Sequence, residues 1–445
     1  MGTKRVSELS TAVREREFIA SMLDWMQQNP EGFVVHPDKD FTRRIKLSFK
    51  DTVEALFSME AECLQKGLRK LFPKRETRMT KSAFCQRRAQ IRFDAFRTLF
   101  DRFNEEFCRL DGRNYKGKKL LAIDGTKVSI AYNREADSWT PGGPPQGHNE
   151  LLITAVMDVL NKAFLDLEIN PIRKGSERRD AFTIFNRRDL LEHSAILTMD
   201  RGYGGYGLFE FLKRRNIYYV CRLSKTFCTD LPDEPLDVAY THAIYTRQTR
   251  ENNRLRLLGK ASYLPGVSPK GKEKKQVTWP FETPYDFTAR VVRIELDTGE
   301  LETLMTNLPS EFTTADLKEI YRLRWGIETA FRDLKYTMKM TAFHARREDF
   351  IWQEILVRLL LYNFASRIVN SVISGPVFTR NHVYRVNFKM AVEICWAWFW
   401  AWRSGAPPPA EEDFLEYIEI VRPGRKDERK PVKLKPAVPM QYRIA

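Results

Sequence analysis

The chain of 445 residues has no long uninterrupted apolar run. Its most hydrophobic stretches, ILVRLLLYNFASRIV and MAVEICWAWFWAW, are short and broken by Arg358, Arg367 and Glu393, which fits buried core helices and excludes bilayer-spanning segments. Cysteine is sparse: residues 63, 85, 108, 221, 228 and 395 form no closely spaced pair, which argues against structural zinc and disulfide frameworks. No signal-peptide pattern opens the chain, so an intracellular, cytoplasmic protein with reduced thiols and no membrane partner is expected. Acidic residues are scarce in one window. Between Lys66 and Arg97 there are eleven Lys or Arg and two acids, Glu76 and Asp94. The net charge is +16, and a second basic cluster runs from Arg422 to Lys435. This balance points to a polyanionic partner, nucleic acid or an acidic membrane surface, although a single basic run is equally well a solvated face.

What is present is a large apolar fraction, 43%, and a change of pattern along the chain. Helical periodicity is read at Ser10 to Gln28, Lys50 to Phe72 and Thr80 to Leu110, where Arg87, Arg88 and Arg92 are available to face outward from an amphipathic helix. That helix reads either as a DNA-docking element or as an ordinary charged bundle helix. KKLLAIDGTKVSI then reads as a buried strand ending at Asp124 and Gly125, ELLITAVMDVLNKAFLDLEI as a hairpin, and SAILTMD as a buried strand ending in Asp200. Helices interleave with strands through IYYVCRL, which implies a mixed α/β sheet with helices packed on it. Residues 224 to 306 interrupt the order as a β-rich insertion, after which helical pattern runs from Thr313 to about Phe399. APPPAEED and the basic tail have linker composition. The resulting division is 1–115 helical, 116–223 first part of the core, 224–306 insertion, 307–372 second part of the core, and 373–445 helical region and tail. The Trp396, Trp398, Trp400 and Trp402 series is expected to be helical core.

The segment YRLRWGIETAFRDLK carries the chemistry. At about 100° per residue, Tyr321, Arg324, Glu328 and Lys335 fall within a sector of roughly 60°, beside an apolar face of Leu323, Ile327, Ala330, Phe331, Leu334 and Met338. Thr313 and Asp316 form a plausible capping box at its start. Arg324 and Glu328 alone would be an ordinary helical ion pair worth a few tenths of a kcal/mol. With Asp124 and Asp200 at strand ends, however, three carboxylates suit hard divalent cations, Mg²⁺ or Mn²⁺, and a pair of such ions clamps the attacking and leaving oxygens of a phosphodiester.

The Tyr-Arg-Glu-Lys spacing resembles the signature of DDE transposases of insertion-sequence type, the IS-four group. LAIDGTKV and LTMDRGYGG resemble the segments carrying that family's first and second aspartates. The likeness covers residues from about 118 to 345, with SAFCQRRAQI in weaker support. It implies a ribonuclease H-like catalytic fold with a β-rich insertion before the glutamate. It also implies Asp124, Asp200 and Glu328 as catalytic metal ligands, and Tyr321, Arg324 and Lys335 as holders of transposon-end DNA. Trp279 is the candidate for an inserted aromatic contacting a flipped base, with simple packing as the commoner role. The implied reaction is metal-assisted hydrolysis at the element's end by water, then attack of the freed 3′ hydroxyl on target DNA by a homodimer on double-stranded DNA. That activity would place the protein on the bacterial nucleoid. A ribonuclease H-like nuclease without strand transfer and a catalytically inactive DNA-binding descendant are the alternatives. Ser129 and His344 are expected to have no nucleophilic or general-base role.

Overall fold

The computed structural model describes residues 3–43, 47–59, 63–72, 74, 78–108, 112–142, 147–187, 195–264, 284–296, 299–372, 377–379, 382–401 and 405–420. Five helices come first: α1 (Thr3–Gln28), α2 (Phe49–Ser58), α3 (Leu64–Leu71), α4 (Lys81–Ala89) and α5 (Phe93–Phe107). Ser48 and Asp51 close a capping box on α2, and the Thr80 hydroxyl accepts the Ala83 amide to start α4. The two longer helices expected here are each broken in two. Met59 is extended after α2, and Arg92 is extended before α5. The second break has a clear cause: Arg92 N donates to Phe33 O at 2.8 Å and Val35 N donates to Gln90 O at 2.9 Å, so this stretch bridges to another segment instead of continuing the helix.

Ten strands then share one sheet: β1 (Lys119–Ile130), β2 (Trp139–Thr140), β3 (His148–Asp158), β4 (Ala163–Pro171), β5 (Ala195–Met199), β6 (Tyr218–Arg222), β7 (Leu236–Tyr245), β8 (Ala261–Tyr263), β9 (Tyr285–Glu295) and β10 (Leu301–Thr306). Between them lie α6 (Glu177–Arg187), α7 (Tyr206–Arg214) and α8 (Arg250–Leu257). The central order is β4-β3-β1-β5-β6, with β1, β5 and β6 mutually parallel and the β3–β4 hairpin antiparallel to β1. This is the mixed α/β sheet with flanking helices that the sequence pattern implies. Beyond β6 the same sheet continues through β10, β9, β7 and β8, so the strands of the interrupting segment extend the central sheet.

One expectation about the sheet is corrected. β1 does not end at Asp124; it runs on to Ile130, because β3 pairs with it all the way from Leu121–Asp158 to Ile130–Asn149. What ends at this level is its other partner, β5.

After the sheet come α9 (Thr314–Leu323), with the expected Thr313–Asp316 capping box, and α10 (Trp325–Arg332), which runs into a π-helical turn at Asp333–Thr337. Ile327, Ala330, Phe331, Leu334 and Met338 are buried, as their spacing predicts. Gly326 lets α10 approach the sheet closely: a Cβ there would stand 3.3 Å from the Val159 side chain. The long α11 (Glu348–Val372) follows. Helix does not then persist to Phe399, because β11 (Val377–Thr379) and β12 (His382–Val386) intervene before α12 (Phe388–Ala401). Rich in β-branched and aromatic residues, these strands form a small sheet with β13 (Ile418–Ile420), which follows α13 (Glu411–Leu415). The stretch read as a linker therefore carries structure. Trp396 and Trp398 are buried as expected; the side chain of Trp400, and Trp402 as a whole, lie outside the described residues.

Candidate active site

The parallel ladder between β1 and β5 ends at the Ile123–Met199 pair. The next residues, Asp124 and Asp200, therefore leave it as neighbours, at about the 4.8 Å spacing of adjacent strands. Asp200 stands just past the last residue of β5, and Asp124 faces Ala155 across β3. Glu328 arrives on α10, which packs against β1. Three elements far apart in sequence thus bring their carboxylates to one end of the central strands.

Arg324 and Tyr321 hold this arrangement. Arg324 is buried, at 3% exposure, and its Nη2 donates to Glu328 Oε1 at 2.8 Å. Its guanidinium carbon lies 5.4 Å from the Tyr321 ring centre and 5.0 Å from that of Trp325, and its Nε is buried without a hydrogen-bond partner. The Tyr321 hydroxyl donates to Asp200 Oδ1 at 3.2 Å. On the first strand, Gly125 N donates to Asp124 Oδ1 at 2.9 Å.

Burial pushes the Asp124 carboxyl up to about 6. The Gly125 amide and the Arg324 charge pull it down, and Glu177 and Glu328 push it further up. Glu177 is also raised, by burial first and then by Asp180 and Asp200. The site is therefore a cluster of mutually repelling carboxylates, with the buried Arg324 guanidinium beside Asp124 and Glu328 and the Lys127 charge acting on Glu177 as counter-charges.

Two of its members were not singled out as site residues from the sequence. Glu177 opens α6, and its carboxylate abuts the backbone of Gly125: a Cβ on that glycine would collide with it, at 2.6 Å from Cδ. Tyr203 lies in the RGYGG stretch after Asp200, so its proximity to the site was at least implied by position. It is 1% exposed, and its hydroxyl has no hydrogen-bond partner.

The remaining expected site residues make other contacts. Lys335 sits on the π-helical turn, where burial lowers its ammonium and Glu150 on β3 raises it. The wheel placing it with Tyr321 assumed an uninterrupted α-helix, and the wider turn at 333–337 changes that phase. Arg88 does not face outward. It is 3% exposed, donating from Nε to Gln353 Oε1 at 2.8 Å, from Nη1 to Glu354 Oε1 at 2.9 Å, and from Nη2 to the Phe350 carbonyl. Arg87 is half-buried, bonded to Gln90 and lying over Phe41, while Arg92 is exposed and paired with Asp94. Trp279 lies outside the described residues.

Residues 115–364 match the transposase DDE domain family, more than half of the chain. The chain belongs to that family. Over 291 residues this DDE-domain protein is 22% identical to transposase InsG for insertion sequence element IS4 of Escherichia coli (strain K12), covering 63% of this chain. The match spans 59% of that relative's length. Among solved structures, the cryo-EM structure of the piggyBac transposase synaptic complex with hairpin DNA aligns over 94% of this chain and 87% of that one, with a TM-score of 0.47 and 11% identity.

The donor chemistry of this DDE-domain site suits a hard cation: the side chains gathered there are carboxylates, and the anions, partly desolvated, outnumber Arg324 and Lys127, which balance them. As they lie, no three acidic, histidine or cysteine side chains among the described residues are close enough to share one ion. Arg324 instead occupies the space beside Glu328 that a cation would neutralise. Among the described residues no helix is long and apolar enough to cross a membrane.

Proposed function

We propose that the protein is a DNA transposase that cuts the ends of its own element and joins the freed 3′ hydroxyl to target DNA, with Asp124, Asp200 and Glu328 as its catalytic acids. The observation that carries this reading is the gathering of those three carboxylates around Arg324 and Tyr321 beyond the end of the β1–β5 ladder, within a chain of the DDE-domain family. Polarisation of the scissile phosphate and activation of the attacking oxygen are what Mg²⁺ or Mn²⁺, one ion or a pair, would supply there. The residues that would hold it are Asp124 and Asp200, with Glu328 free to join once Arg324 releases it.

The chain's own contribution is placement. Tyr321 fixes the rotamer of Asp200, the Gly125 amide fixes that of Asp124, and Arg324 orients Glu328. With its guanidinium turned from Glu328 to a phosphate, Arg324 offers the planar fork suited to that group. Lys335 adds a point charge along the β3 side of the same end. The helical N-terminal region, with its basic window and exposed Arg92, supplies end binding, and two copies joined on DNA hold the two ends.

The test is cleavage of double-stranded DNA bearing the element's terminal repeats, with Mg²⁺ or Mn²⁺, followed by joining of a pre-cut 3′ end to plasmid. Glu328→Gln should bind the ends and leave them intact. Full cleavage by that variant would remove the glutamate from the mechanism. Cutting without joining would identify a nuclease instead.

A further inference from the structure

Glu177 is placed between the two catalytic aspartates by contacts that have no evident structural purpose. Its Oε1, Cδ and Cγ press against Gly125, the residue after Asp124, and its Oε2 lies 4.0 Å from where a Cβ of Gly202 would be, two residues after Asp200. The carboxylate makes no hydrogen bond or ion pair among the described residues, although its neighbours Arg178 and Asp180 are both engaged: Arg178 donates to Gly202 O at 2.6 Å, and Asp180 accepts from Thr154 at 2.8 Å and Asn170 at 3.0 Å. A half-buried carboxylate with no donor, set beside Asp180 and Asp200 and balanced only by the more distant charge of Lys127, raises the energy of the protein unless something else binds there.

A second, independent observation indicates what that is. The Tyr203 hydroxyl is almost completely buried, has no partner, and is acted on by the charges of Glu177, Asp124, Asp180 and Asp200. A buried hydroxyl left unpaired among anions is unfavourable, and a water molecule or hydrated ion there would relieve it. Mg²⁺ and Mn²⁺ are bound with several of their waters retained, so a carboxylate too far to ligate directly still accepts hydrogen bonds from the hydration shell.

We propose that Glu177 is a fourth carboxylate of the cation site, a positioning residue that accepts hydrogen bonds from water on a divalent ion held by Asp124 and Asp200, with the Tyr203 hydroxyl as a further partner of that water. This rests on the cation-dependent reading given under Proposed function. It assigns Gly125 a role as well: only glycine leaves room for the Glu177 carboxylate against β1.

The experiment measures Mn²⁺ binding to the full-length protein without DNA, by electron paramagnetic resonance titration, beside thermal unfolding in EDTA. Glu177→Gln should weaken Mn²⁺ binding about tenfold, within the range found for groups that orient a metal's ligands or waters. Its unfolding temperature in EDTA should be equal to or above wild type, since one repelling charge is gone; a purely structural role would lower it and spare the affinity. Gly125→Ala should reproduce the weakened binding by displacing the carboxylate, and it carries the test if Glu177→Gln does not fold. Tyr203→Phe should weaken binding by a smaller factor. Wild-type affinity in folded Glu177→Gln or Gly125→Ala, with binding lost in Asp124→Asn, overturns this inference and leaves the wider reading standing. Absence of Mn²⁺ binding by the wild type, or full binding by Asp124→Asn, removes both.

Discussion

Replacing Arg88 with methionine separates two roles that a basic helix can play. Arg88 uses Nε, Nη1 and Nη2 to bond Gln353, Glu354 and the Phe350 carbonyl, and its guanidinium carbon lies 4.6 Å from the Phe350 ring centre. Glu354 is itself buried. Burial alone would push its carboxyl up, but Arg88 and then His344 hold it well below the usual carboxylate range. Arg88→Met keeps most of the side-chain volume and strips that carboxylate of its arginine, leaving the His344 amide and ring as its partners. Removing one partner of a buried pair costs about 3–5 kcal/mol, a large part of the 5–15 kcal/mol that holds a typical domain folded. Urea denaturation at pH 7, followed by tryptophan fluorescence, should show the loss. Adding Glu354→Gln should recover part of it, because the charge no longer needs a partner. The pH dependence has a definite sign. In the wild type the depressed carboxyl contributes stability above the unfolded pKa, and this is lost only as pH falls through the folded value. In Arg88→Met, with His344 its remaining partner, burial should raise the carboxyl relative to wild type, so its penalty should shrink as pH falls and it takes up a proton. A change under about 1 kcal/mol, together with a salt dependence of DNA binding lowered by about one phosphate contact, would refute this reading and return Arg88 to the DNA surface.

Asp124, raised to about 6 chiefly by burial, should make Mn²⁺ affinity climb as pH rises through 6, and it should cost the cation-free protein stability over the same interval, from its ordinary value near 4 upward; Asp124→Asn should flatten that stability profile. Tyr321→Phe removes the 3.2 Å bond to Asp200 and should slow single-turnover cleavage by about tenfold, the equivalent of roughly 1.4 kcal/mol, while leaving the unfolding midpoint close to wild type. Trp396→Phe loses the 2.9 Å bond from Nε1 to Phe57 O and should destabilise by about 1–2 kcal/mol in urea, with DNA cleavage at permissive temperature unchanged.

Much of the site was legible because it is written in local patterns. Apolar runs ending in aspartate revealed β1 and β5, a helical wheel grouped Tyr321, Arg324 and Glu328, and the capping box at Thr313 fixed where that helix begins. What escaped reading depends on partners distant in sequence. Arg88 resembles a solvent-facing arginine until Glu354, 266 residues later, is folded against it. The break at Arg92 is set by a bridge to Phe33, and the passage of β1 through Asp124 by the length of β3. Lys335 falls on a π-helical turn that has no evident sequence mark. Glu177 has no motif at all; only the proximity of α6 to Gly125 identifies it.

The N-terminal helices are fastened to the C-terminal ones by bonds between buried or half-buried groups: Arg367 to Glu15 at 2.7 Å, Asn363 to Asn104 at 2.8 Å, Arg358 to Met59 O at 2.7 Å, and the Arg88 cluster. A chimera that borrows residues 1–108 from a relative, to redirect the protein to other DNA ends, would therefore inherit mismatched halves of these locks. Grafting succeeds only if α11 travels with the borrowed helices, so the exchangeable module of this protein is discontinuous in sequence.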